Sequence, residues 1–593
     1  MAVTHYQMAS TSRRYFNISI PKIKPIQIVK QTGRELQCAP SRCQANNQGL
    51  LTHNRASMYQ QTSWSHDYIE SLETNFADMV EVMKLEEKVA EMLMEYENRS
   101  TLELLELVDD IERLGLGYRF RNNIRKVLDK LVASINETTK AEENNLHALS
   151  LRFRLLRDHG YVVSQDFVKR FKDNHGGFKG SIETDVKALL SLYEASYLAL
   201  ESESDLHDAK LFAIENLQKL SSDDHVNKVM QDHINDALDI PLYRRVQRLQ
   251  ARWYIDAYGK QKDANQVLLK LAVLDFNMVQ STNKRDLQKA SKWWRKLSLT
   301  NELSFIRDRI VECFFWGGGM VFEPQYDSCR ILLTKVCAVI TTFDDIYDIY
   351  ESLDELEALT NAIKRWDVNA AEKLPLDLQV GFLALYNTVN DTAYDTLITR
   401  RRNAIPNLAK VWGELCEAFL VEAKWTETNH LPSLEDYLDV AYQSASGVVI
   451  LTHGFLSMYQ DVKADANESL RKCQELFKWS SMLFRLYNDL VTSSEEVQRG
   501  DSPNAMSCYM LENGVSEEIA REYVKVLIDK AWMKMLEARV ACSGAVADSI
   551  IDIAINLPRV ALSMYQHGDG HGAPDARAND RLSSVIIKPI TVT

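Results

Sequence analysis

Three carboxylates stand close together at Asp344-Asp345-Ile346-Tyr347-Asp348, directly after the mostly apolar run Val336 to Phe343. On a helix Asp344, Asp345 and Asp348 fall at about 0°, 100° and 40°, a single acidic face. Carboxylates so close repel one another unless cations sit among them, and hard oxygen donors select Mg²⁺ or Mn²⁺ over zinc. A second oxygen set follows in Asn488-Asp489-Leu490-Val491-Thr492-Ser493-Ser494-Glu495-Glu496. There Asn488, Thr492 and Glu496 recur every fourth residue, putting an amide, a hydroxyl and a carboxylate on one stripe. Arg485 lies one turn earlier on the same side. Metals held by few carboxylates complete their shells with phosphate oxygens, so two such stripes beside arginines point to a phosphorylated substrate, a diphosphate above all. No GxxxxGK[ST] loop is present, which disfavours nucleotide hydrolysis.

The elements that must carry these groups are helices. From Ser65 onward, apolar residues recur at three- and four-residue intervals, as in Leu102 to Leu114 and Ala264 to Gln280. Breaks are expected at His175-Gly176-Gly177, Asp239-Ile240-Pro241, Gly259, Gly317-Gly318-Gly319, Pro375, Leu431-Pro432 and Gly568 to Asp580. The chain of 593 residues therefore reads as all-α with two helical domains, 54–263 and 264–593. Its longest apolar stretches fall well short of the ~20 residues a membrane span needs. A formal charge of −14 disfavours nucleic acid as a partner. Nine cysteines without a CxxC pair suit reduced thiols in a reducing compartment.

Residues 1–53 differ in kind. They hold seven Lys or Arg against one acid, are rich in Ser, Thr, Gln and Asn, and lack a long apolar core. That composition is expected of a plastid transit peptide.

The acidic element, the Asn/Thr/Glu element and Arg307-Asp308-Arg309 upstream together resemble the plant class I terpene synthases. The likeness runs from about Arg55 to the C-terminus and includes LLSLYEASYLA, KWWRKLSL, ECFFW and MYQHGDGHG. It implies a C-terminal α-domain holding the active site and an N-terminal helical-barrel-like β-domain. The latter is expected to be catalytically silent, since Val108-Asp109-Asp110 lacks the leading Asp of a DxDD acid motif. The resemblance implies a carbon–oxygen lyase acting on a prenyl diphosphate. Asp344, Asp345 and Asp348 would form the first metal set, and Asn488, Thr492 and Glu496 the second. Arg307, Arg309 and Arg485 would clamp the diphosphate. About three Mg²⁺ ions, with Mn²⁺ as an alternative, would neutralise the leaving group. Trp316, Phe484 and Tyr487 are candidate faces for the carbocation, and Tyr565 for the lid that keeps water out.

The family's RR(x)8W element has a counterpart in Asn54-Arg55 and Trp64, where the first arginine is missing; an acyclic product is expected. The sequence is also similar to the isoprene and ocimene synthase branch, sharing Ser446, Phe484 and Asn504 with isoprene synthases. Where those carry a bulky Phe, Cys337 stands here, leaving room for a further C5 unit. The expected reaction is geranyl diphosphate to an (E)-β-ocimene-like olefin. Isoprene formation from dimethylallyl diphosphate is the second reading, followed by linalool, myrcene or limonene. A chain-elongating prenyltransferase would show two DDxxD elements, and a non-catalytic scaffold would not need the oxygen stripes. A monomer or homodimer is expected.

Overall fold

The computed structural model describes residues 61–591 apart from 75–78, 96–98, 134–143, 351, 461–464, 500–502 and 545; the side chains of 493–499 are also outside the description. The basic leader, Cys38, Cys43, Arg55 and the Glu496 side chain therefore lie outside the described residues. Residues 55–593 form one unit. Among the described residues there are helices and two isolated bridges, and no strand.

The helices start where side chains can satisfy their first N–H groups. Ser100 and Glu103 form a reciprocal cap on Thr101–Arg113, and the side chains of Asn145, Asp185 and Asn227 each accept one backbone N–H at the start of a later helix. The apolar faces of the helices Met79–Met94, Thr101–Arg113, Arg121–Ala133 and Leu146–Asp158 share one core that includes Val82, Leu105, Ile124 and Leu155. This core does not stop at the expected joint near residue 264. It extends over Leu268, Leu271 and Phe276, the first turns of the long helix α1 (Gln266–Leu297).

Beyond α1 the chain continues through α2 (Ile310–Met320), α3 (Asp327–Ile349), α4 (Ile405–Glu427), α5 (Leu434–Ser444), α6 (Gly447–Met458), α7 (Ala466–Arg499), α8 (Glu517–Cys542) and α9 (Asp548–Tyr565). Helices α2, α3, α7 and α9 are the ones that frame the site.

Gly317-Gly318-Gly319, read from the sequence as a break, lies inside α2 and is buried. Packing overrides glycine's poor helix propensity here. A Cβ on Gly317 would lie 2.8 Å from the carbonyl oxygen of Arg330, and one on Gly319 would lie 2.5 Å from Val560. The bare backbone lets α2 press against α3 and α9 together. The expected break at Gly568 to Asp580 is a loop only as far as Asp575, which caps a helix at Ala576–Ile586.

Buried charge ties these layers together. Arg330 and Asp286 are fully buried and meet at 2.6 Å, joining α3 to α1. Arg330 also donates to the carbonyls of Val321 (2.9 Å) and Glu323 (3.2 Å), fixing the α2–α3 connection.

Candidate active site

The apolar face of α3 sinks its body into the core, so the acidic residues emerge in its last turns. A helix C-terminus already carries partial negative charge, which makes three carboxylates there costly without cations nearby. Arg307 supplies one. Its backbone N–H donates to Asp345 Oδ2 at 2.7 Å, its Nε lies 2.6 Å from Asp345 Oδ1, and its Nη2 lies 2.5 Å from Asp344 Oδ2. The three acids differ in exposure. Asp345 is fully buried, and burial pushes its carboxyl up to about 6 against the pull of Arg307. Asp344 is 43% exposed and Asp348 is exposed, so these two face the solvent side of the pocket.

The opposite wall is the later part of α7. Arg485 donates to Ser444 Oγ (2.6 Å), Glu422 Oε1 (3.2 Å) and the Ala441 carbonyl (3.3 Å). Asp489 is buried and accepts from Tyr437 Oη (2.8 Å) and the Ala505 N–H (2.9 Å), so it braces α7 against α5 and the following helix. Asn488 is half-buried, and the Thr492 hydroxyl donates to its carbonyl at 3.1 Å. Asp344 acts electrostatically across the gap. After burial, Arg485, a hydrogen bond from Ser444 and Asp489, it contributes to the shift of the buried Glu422 carboxyl. Tyr565, raised by burial, feels Asp569 and Asp344 and then Arg307 and Arg485, one arginine from each wall.

Aromatic rings close the pocket. Trp316 and Phe484 have centroids 4.6 Å apart, and Tyr565 lies 6.3 Å from the first and 6.2 Å from the second. The loop after α9 completes the cover. Arg309 donates from Nε and Nη2 to the carbonyls of His571 (3.0 Å) and Gly572 (2.9 Å), and from Nη1 to Asp308 (2.9 Å). Arg309 is thus engaged with the cover loop, whereas Arg307 and Arg485 line the gap. His571 rests against Trp316 at 6.4 Å, with Nε2 3.0 Å from the Thr341 hydroxyl on α3. Burial, aided by Arg307 and Arg309, pushes its imidazole down to about 3, so it is neutral.

Cys337 is buried one turn before Thr341, whose hydroxyl donates to its carbonyl at 3.0 Å. Tyr487 is not in the aromatic group: its hydroxyl accepts from Trp532 Nε1 at 2.7 Å, on the α8 side. Ser446 is buried in the left-handed region at φ 65° and donates to the Ala445 carbonyl. Asn504 caps the helix Ala505–Asn513. Sequence reasoning passed over Glu422, Asp489 and His571. Asp489 stood inside the second motif; Glu422 had no local signal.

Glu312 on α2 is fully buried, and neither carboxyl oxygen has a hydrogen-bond partner. Burial pushes its carboxyl from 4.5 up to about 7, opposed by its own N–H and by Arg309 and aided by Asp308. The unfolded chain ionises first, so stability falls as pH rises from about 4.5 to about 7, by about 3 kcal/mol for this group. Urea unfolding at pH 5 and pH 8 should therefore show a steeper loss for the native chain than for Glu312→Gln.

Two family models match the chain: "Terpene synthase, N-terminal domain" over residues 56–238 and "Terpene synthase family, metal binding domain" over 295–534. The (E)-beta-ocimene synthase of Matricaria chamomilla var. recutita is 58% identical, covering 99% of both chains. The chain belongs to the terpene synthase family. Among solved structures, this terpene synthase is similar to isoprene synthase from grey poplar leaves (Populus x canescens) in complex with three Mg²⁺ ions and dimethylallyl-S-thiolodiphosphate. The identity is 44% and the TM-score 0.81, over 89% of this chain and 99% of that one. It is also similar to limonene synthase with 2-fluorolinalyl diphosphate, at 38% identity and a TM-score of 0.86, covering 91% of this chain and 100% of that one.

Among the described residues no three His, Cys, Asp or Glu side chains form a ready metal cage. The hard-oxygen donors are instead divided between Asp344 and Asp348 on α3 and Asn488 and Thr492 on α7. That division fits ions whose remaining ligands are substrate phosphate oxygens.

Proposed function

We propose that this terpene synthase ionises geranyl diphosphate and releases an acyclic, (E)-β-ocimene-like monoterpene and diphosphate. The observation that carries the reading is the pair of oxygen-bearing walls, α3 and α7, opening onto a pocket closed by Trp316, Phe484 and Tyr565. Asp344, Asp345, Asp348, Asn488, Thr492 and Glu496 are assigned to metal binding. When bound, about three Mg²⁺ ions, or Mn²⁺, would supply the positive charge that lets diphosphate leave. Arg307 and Arg485 orient the leaving group from opposite sides. Arg309 keeps the cover loop on the pocket and excludes the water that would quench the cation as an alcohol. The aromatic faces offset the loss of solvation. His571, neutral and with Nδ1 free of hydrogen-bond partners, is a group able to take the proton that ends the reaction.

The 58% identity to an ocimene synthase over 99% of the chain favours the acyclic C10 product. Isoprene formation from dimethylallyl diphosphate is the second reading, favoured by the 44% identity to isoprene synthase. Incubation with C5, C10 and C15 diphosphates and Mg²⁺, followed by headspace analysis, separates them; a longer diphosphate as product would sink both. Cys337→Phe should shift kcat/KM toward the C5 substrate by on the order of tenfold or more. An unchanged ratio removes Cys337 as the depth determinant.

The names of the relatives favour a plastid address for this chain, with residues 1–53 as the leader. The assignment of 54–263 as a silent supporting domain and 264–593 as the catalytic one belongs to the same reading, as does a monomer or homodimer.

A further inference from the structure

A second cavity, of about 210 Å³, lies away from the α3–α7 gap, between the N-terminal helices, the segment 242–250 and the ends of α8 and α9. Most acids on its walls are already neutralised by neighbours: Asp552 meets Arg121 at 2.8 Å and Asp548 meets Arg125 at 3.2 Å. Arg559 is the exception among the cations. It is 8% exposed, donates to the Tyr243 carbonyl (2.6 Å) and Asn556 Oδ1 (3.0 Å), and has no carboxylate at ion-pair distance among the described residues. Its guanidinium stacks 4.8 Å from the Tyr243 ring. The buried Tyr243 hydroxyl faces the Arg539 guanidinium, and its own proton has no acceptor among the described residues. Gln250 presents a further donor. Its Oε1 is taken by Arg245 Nη1 at 2.6 Å, which leaves the buried Nε2 with no acceptor. Arg539 lines the same wall; it donates to the carbonyls of Asp158 and Arg157 and has the Asp158 carboxylate at 3.9 Å.

A buried cation without an anion, beside buried donors without acceptors, costs stability unless an acceptor-rich group enters. We propose that this cavity is an oxyanion site, distinct from the catalytic gap, that takes inorganic phosphate or diphosphate through Arg559, Arg539, Tyr243 and Gln250. The volume holds such an anion together with water. Both halves of the chain supply its walls, so occupancy stabilises their junction.

The test is calorimetric titration of the full-length protein with inorganic phosphate and, separately, diphosphate, in chelator at matched ionic strength. Chelation removes metal-dependent binding at the α3–α7 gap. One saturable site is expected, retained in Arg307→Ala and weakened about tenfold or more in Arg559→Gln. The tighter of the two anions identifies the source. The proposal is overturned if neither anion saturates, if Arg307→Ala abolishes the binding, or if Arg559→Gln leaves it unchanged. Should Arg559→Gln fail to fold, Gln250→Leu decides, and unchanged affinity in that variant also overturns it.

Discussion

Replacing Asp344 by alanine should lower kcat by on the order of 10²–10³-fold while leaving the protein folded, the cost of removing one charge-stabilising group from a developing anion. The side chain is 43% exposed, so little packing is lost. Arg307 keeps its contacts to Asp345 and is not stranded. Raised Mg²⁺ should recover part of the rate, because a weakened site fills by mass action. Steady-state kinetics across a metal titration, with circular dichroism as the folding control, reads both parts. Undiminished turnover would sink the two-wall account. Asp345→Ala should behave differently: it removes a fully buried acid and takes from Arg307, only 9% exposed, the carboxylate that meets both its backbone N–H and its Nε, so melting should fall along with activity.

The largest stability effect is expected at the Arg330–Asp286 pair. Both side chains are fully buried, and Asp286 Oδ2 accepts from Arg330 Nη2 at 2.6 Å and Nε at 3.2 Å. Asp286→Ala strands a buried guanidinium and should cost about 3–5 kcal/mol, read as a lowered urea midpoint. A double change, Asp286→Leu with Arg330→Met, should recover part of that loss, since no buried charge is left unpaired while the carbonyls of Val321 and Glu323 lose their donor. If the single change is neutral, the pair does not bind α1 to α3 as the geometry implies.

The helices and the acidic motif were legible because both depend on local spacing. Apolar periodicity marks a buried face whatever it packs against, and Asp344 and Asp348 share a side by helix geometry alone. That α3 and α7 face one another depends on how helices more than a hundred residues apart in the chain pack, which no local pattern records. Gly317 to Gly319 misled for a related reason: a propensity argument sees three poor helix formers, whereas the packing with Arg330 and Val560 requires the missing side chains. Arg309 was legible as a functional arginine, but its engagement with the carbonyls of His571 and Gly572 was not. Tyr487 and Phe484, three residues apart, part company because Trp532 offers Tyr487 a buried donor.

Helix α1 is anchored at two places, its first turns lying among the N-terminal helices through Leu268, Leu271 and Phe276 and its Asp286 pairing with Arg330 on α3. Trimming the gene to its second half would therefore not liberate a self-sufficient enzyme. It would bring a greasy stripe into water at the new amino end, and bacterial overproduction of such a fragment would fill inclusion bodies.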